Sequence, residues 1–277
     1  MIVVTGASGY IGSRAIRRLA GLGLPVTAMA RDSERLREVI PESVPIIIAD
    51  YDDRKSLDRA FAKARKLLFV SSDGFADDVM RHHAHIIDAA NRSPITHAVF
   101  TSIIDVEEAS PFYFAPAYRD AERRLKAARF ATSVVRCGLY SDFILRHWLK
   151  DRLISLPLAD ARIAPISRDD VAAFIAQAML DESAASWDLT GAKDYSMAEI
   201  AAAASRSSGE AYSYQPCADQ DYLERLQSKV EDPWPVAFTS LCASIREGRF
   251  AATSTHFMKM LRRPPEDFES FLTRSQL

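Results

Sequence analysis

The chain is poor in cysteine and carries almost no net charge. Its three cysteines are Cys137, Cys217 and Cys242 among 277 residues. Their odd number and their spacing match no disulfide framework or zinc site, so we expect reduced thiols and a cytoplasmic protein without a metal. The formal net charge is −2, which provides no basic field for nucleic acid or an anionic membrane surface. We therefore expect neither of these partners.

Long hydrophobic runs are absent as well. No apolar stretch approaches the ~18 residues that a membrane-spanning helix needs. The chain begins directly with the apolar run Ile2–Thr5, with no basic segment or cleavage site, so we expect no signal peptide. Hydrophobic residues nevertheless make up 48% of the chain. That content is sufficient for a sizeable buried core, and it is distributed over many short runs.

Short apolar runs alternate with amphipathic stretches over the first two thirds of the chain. Each run is bounded by turn residues or charges, as buried parallel strands usually are. The runs are Ile2–Thr5, Pro25–Ala30, Pro45–Ala49, Lys66–Ser71, His97–Thr101 and Thr132–Arg136. This alternation predicts an α/β fold, a Rossmann-type doubly wound parallel sheet with helices on both faces.

After Arg136 the pattern changes to helices with few strands. We expect a helix over Tyr140–Leu149, irregular chain over Asp151–Ala164, and mainly helices from Ser196 onward. The predicted domains are residues 1–140 plus about 163–190 for the Rossmann domain. Residues 141–162 and 191–277 are predicted to form a smaller, helix-rich C-terminal lobe.

A glycine-rich segment follows the first predicted strand and opens a helix. It reads Thr5-Gly6-Ala7-Ser8-Gly9-Tyr10-Ile11-Gly12. In such a segment the first glycine permits a tight turn, the second lets the backbone approach a pyrophosphate, and the third allows close packing of helix on strand. The N–H groups at the helix start then hold the anion. The alternative, a glycine-rich turn without a ligand, is the weaker interpretation because strand and helix flank the motif as required.

The end of the second predicted strand favours NADP(H) over NAD(H). NAD sites place an acidic residue there for the ribose 2′-hydroxyl, whereas this chain has Arg31, with Arg35 one turn later. A guanidinium pairs bidentately with a 2′-phosphate. Asp32 follows, and we expect its side chain to point into the turn. The alternative is that Arg31 is a solvated loop charge.

Acidic residues also close the third predicted strand. The carboxylate of Asp50 can accept from the adenine amino group, and Tyr51 can flank the adenine ring. Asp52 or Asp53 can instead cap the helix that begins at Arg54. Both roles are compatible with one another.

Several segments together resemble one family, the NmrA-like atypical short-chain dehydrogenases. Besides the glycine motif, Arg31 and Ala49-Asp50-Tyr51, they are Leu68-Phe69-Val70-Ser71-Ser72, Phe100-Thr101-Ser102, Arg136-Cys137-Gly138-Leu139-Tyr140-Ser141 and Trp187-Asp188-Leu189-Thr190-Gly191. The chain is most similar to the branch of NADPH:quinone oxidoreductase type 2 and triphenylmethane reductase. The resemblance covers nearly the whole chain and is weakest after Leu226.

That resemblance implies a Rossmann domain, a small C-terminal domain and a cleft for a small aromatic or quinone-like substrate. Gly6 to Gly12 would hold the pyrophosphate of NADP(H), and Arg31 its 2′-phosphate. Ser71 and Ser72 would line the ribose and nicotinamide, with Thr101 and Ser102 at the next strand end. Residues bounding the nicotinamide pocket would be Cys137, Gly138, Leu139, Tyr140 and Ser141. A homodimer is compatible with the sequence.

The usual catalytic pair of short-chain dehydrogenases is missing. Their Tyr-x-x-x-Lys motif uses the lysine to lower the tyrosine pKa, but Tyr118 here is followed four residues later by Glu122. Arg123 stands where related quinone reductases have a lysine; it can hold the ribose but cannot act as an acid. We therefore do not assign Tyr118 as a catalytic acid. Tyr140 is the candidate, since its ring can stack on a planar acceptor.

Two functions remain open on this evidence. Reduction of a quinone or dye needs position and a dry site more than a protein acid, which favours an NADPH-dependent reductase. The second hypothesis is a non-catalytic NADP(H)-binding sensor that acts through a protein partner.

Other residues receive less specific interpretations. The histidines His82, His83 and His85 are expected to be exposed on a helix rather than to bind metal. Phe112, Tyr113 and Phe114 are equally compatible with a lid and with core packing. For the aromatic residues Trp148, Trp234 and Phe238, core packing is favoured over lining the cleft.

Overall fold

A computed structural model describes residues 1–277. The chain packs as two compact units. The first, here called the sheet unit, comprises Met1–Ser102, Ala117–Arg136 and Val171–Trp187. The second, here called the helical unit, comprises Ile103–Pro116, Cys137–Asp170 and Asp188–Leu277. The domain bounds expected from the sequence stay a prediction.

The strands form one large sheet and two small ones. Those of the large sheet are β1 (Ile2–Val4), β2 (Val26–Ala30), β3 (Ile46–Ile48), β4 (Lys66–Phe69), β5 (His97–Ile103), β6 (Ala131–Cys137) and β9 (Ser186–Leu189). Their order is β3-β2-β1-β4-β5-β6-β9, and β1 to β5 pair in parallel. β7 (Leu153–Ile154) pairs with β11 (Ser213–Tyr214), and β8 (Arg162–Ile163) with β10 (Tyr195–Ser196). The predicted Rossmann-type sheet is confirmed.

Helices connect these strands and make up most of the C-terminal chain. They are α1 (Tyr10–Gly21), α2 (Ser33–Arg37), α3 (Arg54–Phe61), α4 (Ala76–Arg92), α5 (Ala115–Lys126), α6 (Ser141–Phe143), α7 (Arg168–Ala178), α8 (Met197–Ser208), α9 (Asp219–Gln227), α10 (Trp234–Arg246), α11 (His256–Leu261) and α12 (Phe268–Arg274). A π-helix, Ile144–Trp148, follows α6 directly. None of the helices combines the length and the apolarity that crossing a membrane requires.

The core of the sheet unit explains why its strands are continuous apolar runs. Val3, Leu67, Phe69 and Phe100 have no exposed surface, because helices cover both faces of the parallel sheet. Along α4, Val79, His83, Ile86, Ile87 and Ala90 are buried at helical spacing. The apolar pattern therefore fixes both the strand positions and the buried face of this helix.

Two predicted elements of the helical unit need correction. The single helix expected over Tyr140–Leu149 is a short α-helix that continues as the π-helix, closed by a bond from the Leu149 N–H to the Ile144 carbonyl at 3.0 Å. The stretch Asp151–Ala164, expected to be irregular, contains the two-residue strands β7 and β8. Apolar periodicity does not distinguish an α-helix from a short π-helix, and two-residue strands carry no periodicity at all.

The helical unit has its own core and a buried charged anchor. Trp148, Leu158, Ile200, Cys242 and Phe268 belong to one buried cluster. The carboxylate of Asp105 is buried beside it and accepts hydrogen bonds from Ser110 Oγ at 2.6 Å and from Ser244 Oγ. Arg249 lies 3.5 Å from the same carboxylate. A buried charge that is hydrogen-bonded in this way fixes the chain after β5.

Gly12 should be essential for the fold, whereas Gly21 at the other end of α1 should not. A Cβ atom at Gly12 would overlap the Gly6 carbonyl oxygen and lie 2.9 Å from its carbon, but nothing lies within 4 Å of a Cβ at Gly21. We expect Gly12→Ala to lower the free energy of unfolding by about 3 kcal/mol and Gly21→Ala to raise it by about 0.5 kcal/mol. Urea denaturation of both variants measures this; equal effects would contradict the close packing.

Candidate nucleotide site

The glycine segment forms an open cradle between β1 and α1. Gly6 adopts φ +57°, a conformation that favours glycine, and its carbonyl accepts from the Gly9 N–H at 3.0 Å. Gly9 is the N-cap of α1, where no side chain caps the helix and no acidic residue stands in the first turn. The N–H groups of the first turn therefore face a position suited to an anion.

Tyr51 ties this cradle to two other strand ends. Its hydroxyl accepts a hydrogen bond from the Gly6 N–H at 3.0 Å. It also bonds to the hydroxyl of Thr5, which donates to the Val70 carbonyl at 2.9 Å. Burial raises the pKa of Tyr51, although the bond accepted from the Gly6 N–H and the charge of Arg31 act in the opposite direction. The sequence interpretation, a ring beside adenine, missed this hydrogen-bonded role.

The end of β2 presents a cation and no available acid. The Asp32 carboxylate accepts from the Glu34 N–H at 2.8 Å and caps α2, which confirms that it points into the turn. Arg31 is exposed, and its charge acts on the Tyr51 hydroxyl in the cradle. The guanidinium is thus the charged group that this strand end offers to a nucleotide.

The loop after β3 is held by α3 and α4. Asp53 caps α3 by accepting from the N–H groups of Lys55 and Ser56 at 3.0 and 3.2 Å, which confirms the expected cap. The Asp50 carboxylate accepts from the Asp52 N–H at 2.9 Å. Asp50 therefore stands in a fixed turn at the end of β3.

Side chains of α4 hold the middle of the same loop. Arg81 pairs with the Asp52 carboxylate at 2.9 Å, and this bond lowers the pKa of Asp52 to about 2. His85 Nδ1 lies 2.8 Å from the Tyr51 carbonyl oxygen, and the His82 ring lies 5.4 Å from the Tyr51 ring. Tyr51 is consequently fixed at its backbone, its ring and its hydroxyl.

Three predicted polar residues meet at the ends of β4 and β5. The Ser71 N–H donates to Thr101 Oγ1 at 3.0 Å, and Ser71 Oγ lies 2.8 Å from His83 Nε2. Ser72 Oγ lies 3.4 Å from His82 Nδ1. The Val70 carbonyl accepts a hydrogen bond from Thr5 of the cradle. Ser71 and Ser72 come directly after Val70 and therefore lie close to the cradle. The structure brings Ser71, Ser72 and Thr101 together, while their expected role in lining the ribose and nicotinamide stays a prediction.

His83 was expected to be exposed, and that prediction is wrong. Its side chain has no exposed surface and packs against the rings of Phe69, Phe100 and Tyr118 at centroid distances of 5.3–5.4 Å. Burial lowers its pKa to about 4, so the imidazole is neutral at pH 7. The signal was present in the sequence, since His83 stands four residues after Val79 and three before Ile86 on the apolar face of α4.

Residues of α5 and its surroundings also differ from expectation. Arg123, predicted to hold the ribose, has a side chain that is 70% exposed and pairs with Asp120 at 2.5 Å. It stands two residues from Ala121 and Leu125, which are buried, and so lies on the outer face of the helix. Ser102 Oγ donates to Glu122, whose carboxylate pairs with Arg136 at 2.6 Å. Arg123 and Ser102 therefore contact α5 and its neighbours rather than the cradle.

The predicted nicotinamide segment belongs to the helical unit. Tyr140 bridges to Ile166, and its carbonyl accepts from the Phe143 N–H at 2.9 Å at the start of α6. The Gly138 N–H donates to the Leu189 carbonyl at 2.8 Å. Burial raises the pKa of Cys137 to about 12, which a hydrogen bond to the Tyr140 side chain only partly offsets. The Cys137 thiol is therefore protonated at neutral pH and is no nucleophile.

The sequence of this chain is similar to those of known nucleotide-binding proteins. Residues 6–182 match the model of a family described as NAD(P)H-binding. The chain belongs to this NAD(P)H-binding family. It is 25% identical over 235 residues to quinone oxidoreductase 2 of Escherichia coli, covering 82% of each chain. It is 26% identical over 219 residues to an NAD(P)H azoreductase of Xenophilus azovorans, covering 77% of this chain and 76% of that one.

Solved structures show the same fold. The E. coli NADPH-dependent quinone oxidoreductase complexed with NADPH superposes with a TM-score of 0.91 at 22% identity, covering 99% of both chains. Triphenylmethane reductase of Citrobacter sp., complexed with NADP(H), gives 0.91 at 23% identity over 100% of both chains. The resemblance to the NmrA-like quinone reductase branch is thus confirmed. The chain is an NAD(P)H-dependent oxidoreductase with a Rossmann-type fold.

The buried, neutral His83 predicts a pH dependence of stability. Its pKa is about 4 in the folded chain against ~6.5 when unfolded, so the unfolded state binds more protons between these values. Burial of the neutral His83 therefore costs no stability above pH 6.5. As the pH falls towards 4, protonation of His83 in the unfolded chain lowers the free energy of unfolding by up to about 3 kcal/mol. Urea denaturation at pH 7.5 and 4.5 measures it.

A pair of variants separates burial from hydrogen bonding in that measurement. His83→Phe keeps a ring among its aromatic neighbours and should remove this part of the pH dependence. Ser71→Ala removes the bond at Nε2 but leaves the imidazole buried, so it should keep the dependence. If the free energy of unfolding depends on pH equally in the wild type and in His83→Phe, His83 does not titrate between pH 4.5 and 7.5.

Proposed function

We propose that the protein is an NADPH-dependent reductase that transfers hydride to a quinone or a similar conjugated aromatic acceptor. The observation that carries the proposal is the end of β2, where Arg31 is exposed towards the cradle and Asp32 is committed to the cap of α2. An acid there would favour a free ribose 2′-hydroxyl, whereas a guanidinium favours a 2′-phosphate. The similarity to quinone oxidoreductase 2 of Escherichia coli and to the NAD(P)H azoreductase of Xenophilus azovorans supports this class of acceptor.

In this proposal the residues of the sheet unit bind and orient the nucleotide. The N–H groups at the start of α1, within the Gly6–Gly12 cradle, hold the pyrophosphate, and Arg31 pairs with the 2′-phosphate. Ser71, whose N–H is held by the buried Thr101 Oγ1 at 3.0 Å, presents its hydroxyl group to the nicotinamide-side ribose. The bound nicotinamide supplies the hydride.

Helix α5 lacks the tyrosine–lysine pair that serves as proton donor in short-chain dehydrogenases. The Tyr118 ring packs against His83, and the Glu122 carboxylate is occupied by Ser102 and Arg136. Hydride transfer to a quinone produces a stabilised hydroquinone anion, which water can protonate once the anion has left the site. Positioning and exclusion of water are then the main contributions that the protein has to make.

The sensor hypothesis is tested by turnover. An NmrA structure has a TM-score of 0.77 at 18% identity, a similarity that concerns the fold alone. NADPH oxidation should be followed spectroscopically against a panel of quinones, azo dyes and triphenylmethane dyes. Turnover with quinones supports the reductase, and absence of turnover with the whole panel would favour the sensor.

Arg31→Ala should weaken NADPH binding selectively. Loss of a charge-assisted pair with the 2′-phosphate costs about 2 kcal/mol, roughly a thirtyfold increase in Kd. The Kd for NADH should change little, because NADH lacks that phosphate. Calorimetric titration of both nucleotides measures the difference, with Arg18→Ala, an exposed arginine near the end of α1, as the control. Tighter NADH than NADPH binding by the unmutated protein would contradict the assignment.

Tyr140 is proposed to contact the acceptor. Two substitutions distinguish the contribution of its ring from that of its hydroxyl group. Tyr140→Phe removes the group that bonds to Cys137 and keeps the ring; Tyr140→Ala removes both. If the ring stacks on the acceptor, Phe leaves the kinetics nearly unchanged and Ala raises the KM for the acceptor. If the hydroxyl stabilises developing charge, Phe alone lowers kcat by up to ~10²-fold. Unchanged kinetics of Tyr140→Ala would place this residue outside the site.

A further inference from the structure

Two buried histidines of the sheet unit each contact a serine hydroxyl through Nε2. His83 Nε2 lies 2.8 Å from Ser71 Oγ, and His97 Nε2 lies 2.9 Å from Ser133 Oγ. The two histidines have 0% and 1% exposed surface. A buried polar ring lowers stability unless it is hydrogen-bonded, so the surroundings of the two pairs can be compared to find what each bond does.

The pair of His97 and Ser133 has a structural role. Ser133 is fully buried, and its Oγ donates to the Ser183 carbonyl at 2.8 Å. Because the one hydroxyl hydrogen is used there, His97 Nε2 carries a hydrogen and donates it to Ser133. These bonds join the start of β5 to β6 and to the chain before β9. Both bonds of the Ser133 hydroxyl are thus made within the fold.

The pair of His83 and Ser71 has the same bond direction but different surroundings. Ser71 Oγ donates to the carbonyl of the next residue, Ser72, at 3.1 Å. His83 Nε2 therefore donates to Ser71. The bond to Ser72 joins no distant part of the chain, and Ser71 is half-buried, whereas Ser133 is enclosed. An oxygen atom of a ligand can therefore replace the Ser72 carbonyl as the acceptor of this hydrogen.

The two pairs also lie at opposite ends of the strands. Thr101, whose Oγ1 holds the Ser71 N–H at 3.0 Å, follows His97 by four residues, about 13 Å along an extended strand. Ser71 comes two residues after β4, at the carboxyl ends of the strands, where parallel sheets bind their ligands. His97 instead opens β5. Of the two serines, the one that is not fully buried lies at the ligand-binding edge.

Packing fixes the direction of the bond from His83. The rings of Phe69, Phe100 and Tyr118 meet the imidazole edge to face, at interplanar angles of 88°, 85° and 69°. The backbone of Ser71 is held separately, by its N–H bond to β5. A donor and an acceptor that are both held in this way define the position of the hydroxyl hydrogen before a ligand arrives.

We propose that His83 is a positioning residue for NADPH. Because its Nε2–H occupies one lone pair of Ser71 Oγ, the hydroxyl hydrogen of Ser71 is directed away from the ring. On nucleotide binding, this hydrogen passes from the Ser72 carbonyl to an oxygen of the nicotinamide-side ribose, and the nicotinamide is thereby held in place for hydride transfer. The inference rests on the proposed function, from which it takes the ribose as the neighbour of Ser71.

Two nucleotides test the inference without turnover. Adenosine 2′,5′-bisphosphate carries the 2′-phosphate of NADPH but lacks the nicotinamide-side ribose. By calorimetry, Ser71→Ala and His83→Phe should each raise the Kd for NADPH about tenfold, the effect of one lost hydrogen bond, and leave the Kd for the bisphosphate unchanged. Weaker binding of both nucleotides would show a merely structural role and overturn the inference, as would unchanged binding of NADPH.

The other buried pair supplies matched controls. Ser133→Ala and His97→Phe break the bond between these two residues and should leave the Kd for NADPH unchanged; a tenfold increase in these variants as well would overturn the inference. Circular dichroism shows which variants are folded.

Rescue and coupling distinguish positioning from packing. His83→Gln, whose amide N–H can donate to Ser71, should recover part of the NADPH affinity that His83→Phe loses. The double variant Ser71→Ala with His83→Phe should bind NADPH no more weakly than Ser71→Ala alone, because both substitutions remove the same bond. A multiplied loss in the double variant would mean that the two residues act separately and would overturn the inference.

Failure of this inference and failure of the proposed function are distinguishable. A selective loss of NADPH affinity in Ser71→Ala and His83→Phe, without NADPH oxidation by any acceptor, would retain the positioning role and reject the reductase function. NADPH oxidation by a protein whose NADPH affinity is unaffected by both substitutions would retain the reductase function and reject the positioning role.

Discussion

The site depends on one hydrogen-bonded chain that joins three strand ends. The Gly6 N–H donates to Tyr51, Tyr51 bonds to Thr5, and Thr5 donates to the Val70 carbonyl. Because the Thr5 proton is used on Val70, Tyr51 must donate to the Thr5 oxygen and can then accept from Gly6. Each group thus has a single assigned role, and neighbouring bonds in such a chain strengthen one another in a buried setting. The left-handed turn at Gly6 and the ends of β3 and β4 are fixed together.

Helix α4 extends that constraint to the rest of the candidate site. Its outer side supplies the exposed Arg81, which holds Asp52, and the half-buried His85, which contacts the Tyr51 carbonyl. Its buried side supplies His83, which contacts the Ser71 hydroxyl. The expected adenine side and nicotinamide side are consequently positioned by one rigid element. Such support is what a binding site needs if the hydride donor is to be held within a fraction of an ångström.

The sequence predicted the parts of this arrangement that local physics determines. The strand runs, the glycine cradle, the Asp53 cap and the outward turn of Asp32 all follow from neighbouring residues, and all are present. The contact of Tyr51 with Gly6 joins residues 45 positions apart, and that of Ser102 with Glu122 joins residues 20 apart. No spacing rule reports such contacts, so the sequence placed Tyr51 at a strand end and, by family resemblance, Ser102 at another, but did not give the partner of either. The expected role of Arg123 at the ribose stays a prediction; in the structure the helix face set by Ala121 and Leu125 turns it outward, where it pairs with Asp120.

Glu122 stands where the Tyr-x-x-x-Lys motif of short-chain dehydrogenases has its lysine, and this difference changes the part that α5 can play in proton transfer. A lysine four residues after Tyr118 would lower the phenol pKa; a carboxylate cannot. In this chain the Glu122 carboxylate instead neutralises Arg136 and accepts from Ser102, so it joins α5 to β5 and β6. The tyrosine position is likewise part of the packing around His83. With α5 committed to stabilising the sheet, the negative charge that develops on an acceptor must be delocalised by the acceptor itself or met by cations elsewhere. A conjugated acceptor of the kind proposed above satisfies the first condition.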